Sequence, residues 1–195
     1  MTFSSNPFLK LITVIFSLIC LSACTTLVDI STSEPIKPDP TKRTIGTYID
    51  DEQLETIAKV NLRKTSEALK QSNIQVSAFN GVVLLTGQVA NQSLRTQAAQ
   101  VVSDLERVRQ VHNELEIRDN ATFWMNRNDQ WISTKVKTKL LANKDIKSSR
   151  VKVKTENGVV YLMGLLSRAQ AEKVTNVVAG TSRVVKVVRV FEYVD

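Results

Sequence analysis

Histidine and cysteine are nearly missing from this chain. One histidine, His112, and two cysteines, Cys20 and Cys24, occur among 195 residues. No histidine pair is there to hold a transition metal, and no thiol supplements the lone imidazole. His112 alternates with Val111 and Asn113 on a predicted strand and reads as a plain surface or edge residue. Phosphate-cradling loops are also missing. Gly81, Gly87, Gly158 and Gly164 match neither GxxxxGK[ST] nor GxGxxG spacing, and read as turn and strand-end residues. A catalytic site needs convergent groups. The densest acidic group is Asp50, Asp51, Glu52 and Glu55. It falls at the start of a predicted helix, where carboxylates suit the helix dipole. The expectation is a protein with no metal, no cofactor and no enzymatic activity.

A long apolar run is absent as well. The stretch from Leu11 to Leu21, preceded by Lys10, is about half of the roughly 20 residues a spanning helix needs. A basic start, a short apolar stretch and then small residues describe a secretory signal. The small residues "L-S-A-C" (Leu21 to Cys24) resemble the bacterial lipobox. That implies cleavage of residues 1–23 and acylation of Cys24. Cys20 would leave with the signal, so the exported chain would carry neither a free thiol nor a disulfide. Several acyl chains on one cysteine are what stable anchoring requires. Thr25, rather than Asp, follows Cys24, and on that resemblance the outer membrane is favoured. Residues 24–47 are expected to be a flexible tether. Three of the chain's four prolines, Pro35, Pro38 and Pro40, lie in it, and such composition keeps a segment extended.

Charge is uneven. From Tyr48 to Arg118 there are 8 basic and 9 acidic residues; from Trp124 to Asp195 there are 14 basic and 6 acidic. The net +7 of the whole chain therefore comes from its C-terminal part. A basic domain suits a polyanion, either nucleic acid or an anionic lipid surface. Export argues against nucleic acid.

The chain also repeats itself. "N-G-V-V-L-L-T-G" begins at Asn80 and "N-G-V-V-Y-L-M-G" at Asn157, with six of eight positions identical. Dropping one residue from the second copy then aligns Arg107, Val108 and Val111 with Arg183, Val184 and Val187. Each copy predicts a helix (about Asp51 to Leu69; about Asp129 to Ala142) and an alternating strand (Ile74, Val76, Ala78; Val151, Val153). An Asn-Gly hairpin follows in each, then a return strand (Val82 to Thr86; Val159 to Met163). A second helix comes next, apolar at Leu94, Ala98, Val101, Val102 and Leu105, or at Val174, Val177, Val178 and Thr181. A β-branched strand closes the copy, parallel to a neighbour by the handedness of crossovers. The expected class is α+β: two tandem αββαβ domains, each a mixed three-stranded sheet with one face under two helices. Residues 48–118 form the first, 119–128 a connector and 129–195 the second.

Gly-Val-Val-x-Leu-x-Gly after a hairpin Asn, then a helix, then Val-x-x-Val-x-x-x-Leu, resembles the BON domain. Two such domains behind a lipobox resemble the dual BON-domain outer-membrane lipoproteins of the DolP (YraP) type, over nearly the whole exported chain. Arg189 departs from the pattern where the first copy has Asn113. The resemblance implies a non-enzymatic protein on the periplasmic face of the outer membrane of a Gram-negative bacterium. It also implies roles in envelope integrity and at division sites. The partners it implies are anionic phospholipid of the phosphatidylglycerol or cardiolipin type, bound by the second domain, and the outer-membrane protein assembly machinery.

One helix invites a more specific reading. In "N-D-Q-W-I-S-T-K-V-K-T-K-L-L" (Asn128 to Leu141), a step of about 100° per residue puts Ile132, Val136 and Leu140 on one stripe. Trp131, Lys135 and Lys139 form another stripe that begins opposite. An indole ringed by lysines is an interfacial arrangement. Trp131, Lys135, Lys139, Lys137 and Lys144 are the candidate phospholipid contacts, with Lys147 and Arg150 extending the patch. The bland alternative packs Trp131 against the first domain. Phe123, Trp124 and Met125 in the connector read as interdomain packing rather than a membrane loop. A competing function is a scaffold in which the basic face, or an edge strand such as Val184 to Tyr193, docks an envelope assembly factor.

Overall fold

The structure is a computed structural model, and it describes Asp39, residues 42–118 and residues 123–194. The signal peptide, Cys24 and nearly all of the tether lie outside the described residues.

Each copy opens with a helix, and both begin earlier than the sequence pattern suggests. Helix α1 spans Ile45–Thr65, with Thr44 as N-cap accepting from the Thr47 amide. Ser66 then interrupts the helix in an extended conformation and caps the short α2, Glu67–Gln71, through its hydroxyl. Serine competes with helical hydrogen bonds in this way, so the single predicted helix becomes two. Strands β1 (Asn73–Phe79) and β2 (Val82–Val89), helix α3 (Gln92–Ser103) and strand β3 (Gln110–Ile117) complete the first copy. The second has α4 (Phe123–Ala142), a 3-10 turn at Ser148–Arg150, β4 (Val151–Glu156), β5 (Val159–Leu166), α5 (Arg168–Ala179) and β6 (Lys186–Tyr193). The backbone of 123–128, expected as connector, is therefore already helical.

Each sheet has three strands, ordered β1-β2-β3 and β4-β5-β6. The hairpin pair is antiparallel and the last strand runs parallel to the middle one. The hairpin corners have positive φ at Asn80 (52°) and Gly81 (75°), and at Asn157 (51°) and Gly158 (76°), as a type I′ turn requires. Gly87 lies inside β2 rather than at its end. A Cβ there would meet the Asn73 carbonyl oxygen at 1.9 Å, where β1 closes onto β2.

The acidic group on α1 has a different task from the one expected. No acid lies in the helix's first turn, so the dipole has nothing to do with it. Asp51 is buried and accepts from the Asn80 and Gly81 amides at 2.8 and 3.0 Å. Asp129 on α4 does the same for Asn157 and Gly158 at 2.7 and 2.8 Å. Each carboxylate ties the first helix of its copy to the hairpin corner, satisfying two amides that the turn leaves unpaired.

Helices cover one face of each sheet. Leu54, Ala58 and Leu62 of α1 and Ala98 and Val102 of α3 pack on Val76, Val83, Leu85 and Leu115. Ile132, Val136 and Leu140 of α4 and Val174 and Val178 of α5 pack on Val160, Leu162 and Leu166. The other face of each sheet is buried too. Phe79, Val82 and Leu84 meet Tyr161, Met163 and Val190 in a third core shared by both domains. The order of layers is helices, sheet, sheet, helices. Around the shared core the polar contacts are reciprocal. Asn80 Nδ2 donates to Glu192 Oε2 at 2.9 Å, and its repeat equivalent Asn157 donates to Glu116 Oε2 at 3.0 Å. Reciprocity of this kind is the mark of an isologous interface, so the tandem copies pack as a two-fold dimer would. Gln88 adds a buried donor to Glu156 at 2.9 Å. Lys152 of β4 bonds Glu55 and the Ala78 carbonyl across the same boundary.

Candidate functional site

The site begins with how α4 is seated. Ile132, Val136 and Leu140 are at most 1% exposed, which fixes the roll of the helix as the periodicity predicts. That roll leaves the Trp131 indole 41% exposed. It does not sit in the shared core. Its neighbours are two cations of its own domain: Lys135 Nζ lies 4.3 Å from the ring centroid and the Arg183 guanidinium 4.6 Å from it. Such cation–aromatic contacts contribute about 0.5–1 kcal/mol at exposed positions.

Arg183 belongs to the turn between α5 and β6, where it takes a positive φ of 68°. Arg107, its equivalent in the first copy, has 70°. This region is uncommon for a residue with a side chain, and both copies use it at the same corner. Arg183 also donates to Asn128 Oδ1 at 3.3 Å. The lysines reach the same turn. Lys135 Nζ donates to Ser182 Oγ and Lys139 Nζ to the Gly180 carbonyl, each at 2.8 Å. No carboxylate forms an ion pair with Lys135, Lys139 or Arg183 in the described contacts. The result is an indole and three cations held by neutral partners, so the positive charge faces outward uncompensated.

Sequence reasoning placed Trp131, Lys135 and Lys139 together, and the structure brings them together. Lys137 is elsewhere. It lines a cavity of about 650 Å³ with Ser133, Thr134, Lys154 and Glu156, on a different side of α4. Lys144 is exposed in the loop after the helix. Arg183 was missed, although its match to Arg107 in the repeat marked it. His112 is partly buried on β3, an edge strand. The side chains of Phe123, Trp124 and Met125 lie outside the described residues.

Among the described residues no group of three or more His, Cys, Asp or Glu could hold a metal ion. None of the helices among the described residues is long and apolar enough to cross a membrane. Among the described residues, Glu156 at the domain boundary is a carboxyl with a shifted pKa. Burial pushes its carboxyl above the ordinary 4.5, opposed by the Gln88 hydrogen bond and by Lys154. Burial likewise pushes the Tyr161 phenol well above its usual range.

Two αββαβ units, the second with an exposed cationic helix, define a tandem small-domain α+β protein. The profile of the BON domain matches residues 50–119 and 128–195, and the chain belongs to the BON-domain family. Among its relatives is the outer membrane lipoprotein DolP of Haemophilus influenzae, 33% identical over 97% of this chain and 98% of that one. A 21 kDa hemolysin of Actinobacillus pleuropneumoniae is 38% identical over 84% of this chain and 82% of its own length. Osmotically-inducible protein Y of Escherichia coli is 30% identical over 72% and 71%.

Proposed function

We propose that this protein is a periplasm-facing lipoprotein of the outer membrane, anchored through acylated Cys24, whose second BON domain binds anionic phospholipid. In this reading it supports envelope integrity at division sites. The near full-length likeness to a protein named an outer membrane lipoprotein and the lipobox at Cys24 favour the location. The observation that carries the lipid reading is the half-exposed Trp131 between Lys135 and Arg183. Indoles prefer the headgroup level of a bilayer. Each cation near an anionic leaflet adds about 1 kcal/mol, so Lys135, Lys139 and Arg183 together supply about 3 kcal/mol. Because the two lysines are already bonded to the α5–β6 turn and Arg183 to Asn128 of α4, little further ordering is needed on contact. The acyl anchor raises local concentration and turns this modest affinity into stable engagement.

The test is co-sedimentation of an unacylated chain (residues 25–195) with phosphatidylglycerol-containing and with pure phosphatidylcholine vesicles. Binding should need the anionic lipid and weaken with salt. Trp131→Glu should reduce it at least tenfold, about 1.4 kcal/mol or more. Equal binding to both vesicles, or no effect of Trp131→Glu, sinks the assignment. A second reading, a scaffold for envelope assembly factors, is favoured by β6, an edge strand preceded by Val185 at 78% exposure. In-cell crosslinking at Lys135 and Lys139 that gave protein adducts and no lipid adducts would support it.

A further inference from the structure

The repeat allows the basic face to be compared with its own counterpart. Asp51 and Asp129 hold equivalent corners, so Gln53 stands where Trp131 does and Ile57 where Lys135 does. On the turn, Asp104 and Glu106 stand where Gly180 and Ser182 do. The contact of Arg183 with Asn128 is matched by an ion pair of Arg107 with Asp50 at 2.6 Å. The same place on the fold thus carries opposite character in the two domains. In the second it is a projecting indole among three cations. In the first it is a groove of about 480 Å³ lined by Leu54, Ile57 and Leu105 and by Asp104, Glu106 and the paired Asp50 and Arg107. Ile57 is 49% exposed, and the apolar surface runs on along α1 through Ile49 at 50% and Val60 at 42%. These residues lie on the side of the helix away from its core stripe.

We propose that this groove is a docking site for a second copy of the same chain, receiving the Trp131–Lys135–Arg183 face of its neighbour. Shape and charge both favour that occupant. The groove offers the side chains of Leu54, Ile57 and Leu105 to an indole and two exposed turn carboxylates, Asp104 and Glu106, to lysines. The helices cover opposite outer sides of the two-sheet sandwich, so a chain cannot fill its own groove. The contact joins unlike faces, a head-to-tail arrangement that leaves one of each face free and can extend. A contact made by one indole and a few exposed charges is small, so the association is weak in solution and is strengthened where an anchor concentrates the chain. It stands independently of the lipid reading, although both use the basic face.

Sedimentation velocity on the unacylated chain (residues 25–195) tests this from about 10 to about 500 µM, the range a small interface calls for. Average mass should rise with concentration, and the rise should vanish near 0.5 M NaCl, where exposed charges are screened. Asp104→Lys/Glu106→Lys destroys one face and Trp131→Glu the other, so each variant alone should stay monomeric. Their equimolar mixture should form 1:1 dimers and nothing larger, because one intact face of each kind remains. A wild type that stays monomeric throughout, or a mixture that does not associate, overturns the proposal. Anionic-vesicle binding of Asp104→Lys/Glu106→Lys separates the two readings. The variant should keep that binding while staying monomeric; a wild type that binds anionic vesicles but never self-associates removes this inference alone.

Discussion

Leu84 decides whether the two domains form one cooperative body. Its side chain is fully buried, yet it belongs to the core between the sheets and not to the core under α1 and α3. Leu84→Ala removes buried methyl groups from a site walled by two sheets, which have little freedom to collapse. The expected cost is about 3 kcal/mol, within the roughly 2–5 kcal/mol of buried leucine truncations. The neighbour Leu85, equally buried, faces the first domain's own core and serves as control. Both tryptophans, Trp124 and Trp131, lie outside the first domain. Fluorescence therefore reports the connector and second domain, while far-UV circular dichroism reports both domains. In urea the wild type should give coincident transitions by the two probes. Leu84→Ala should separate them, because it weakens the coupling itself. Leu85→Ala should move the circular dichroism transition by a similar free energy through the first domain. A Leu84→Ala cost below about 1 kcal/mol, or identical probe behaviour in the two variants, would refute the assignment of β2's two faces.

The loss of vesicle binding in Trp131→Glu and the mixing test of the acidic groove are the functional counterparts of that experiment. Two further structural tests concern buried carboxyls. Asp129→Ala should cost about 1–3 kcal/mol in denaturant unfolding, the penalty for leaving the buried amides of the second hairpin corner short of an acceptor. Glu156 holds its proton more tightly folded than unfolded. Its contribution is therefore present at low pH and is lost as pH rises from about 4.5 through its raised value. Glu156→Gln keeps an acceptor for Gln88 but cannot titrate, so its stability relative to wild type should grow between pH 4.5 and pH 7. A constant difference across that range would remove Glu156 from the account.

The two αββαβ copies were legible because three signals agree: the Asn-Gly corners, the helical stripes and the 77-residue repeat of "N-G-V-V". The basic stripe was legible because Ile132, Val136 and Leu140 fix the roll of α4. Three things were not read. The shared core announces itself as unbroken apolar runs, Val82 to Leu85 and Val159 to Met163, where a sheet with one wet face would alternate. In sequence, those runs specify only return strands. Asp51 and Asp129 were hidden because their partners are backbone amides some 30 residues away, and no local pattern encodes that. Arg183 was hidden because a turn residue reaches a helix only after the domain closes.

The chain connection gives the isologous packing of the two domains a further consequence. Strand β3 ends at Ile117 and helix α4 begins at Phe123, so a handful of residues joins the halves. A link that short holds two partners at an effective concentration of roughly millimolar. The interface comprises six buried apolar side chains, three partly buried ones packed against them and a few polar pairs, and between separate protomers its closure would depend on concentration. Joined in one chain, it closes by a unimolecular step whose equilibrium is indifferent to dilution. Proteolysis anywhere in that short link would turn it into a bimolecular one, and the halves would part without a single contact having been altered.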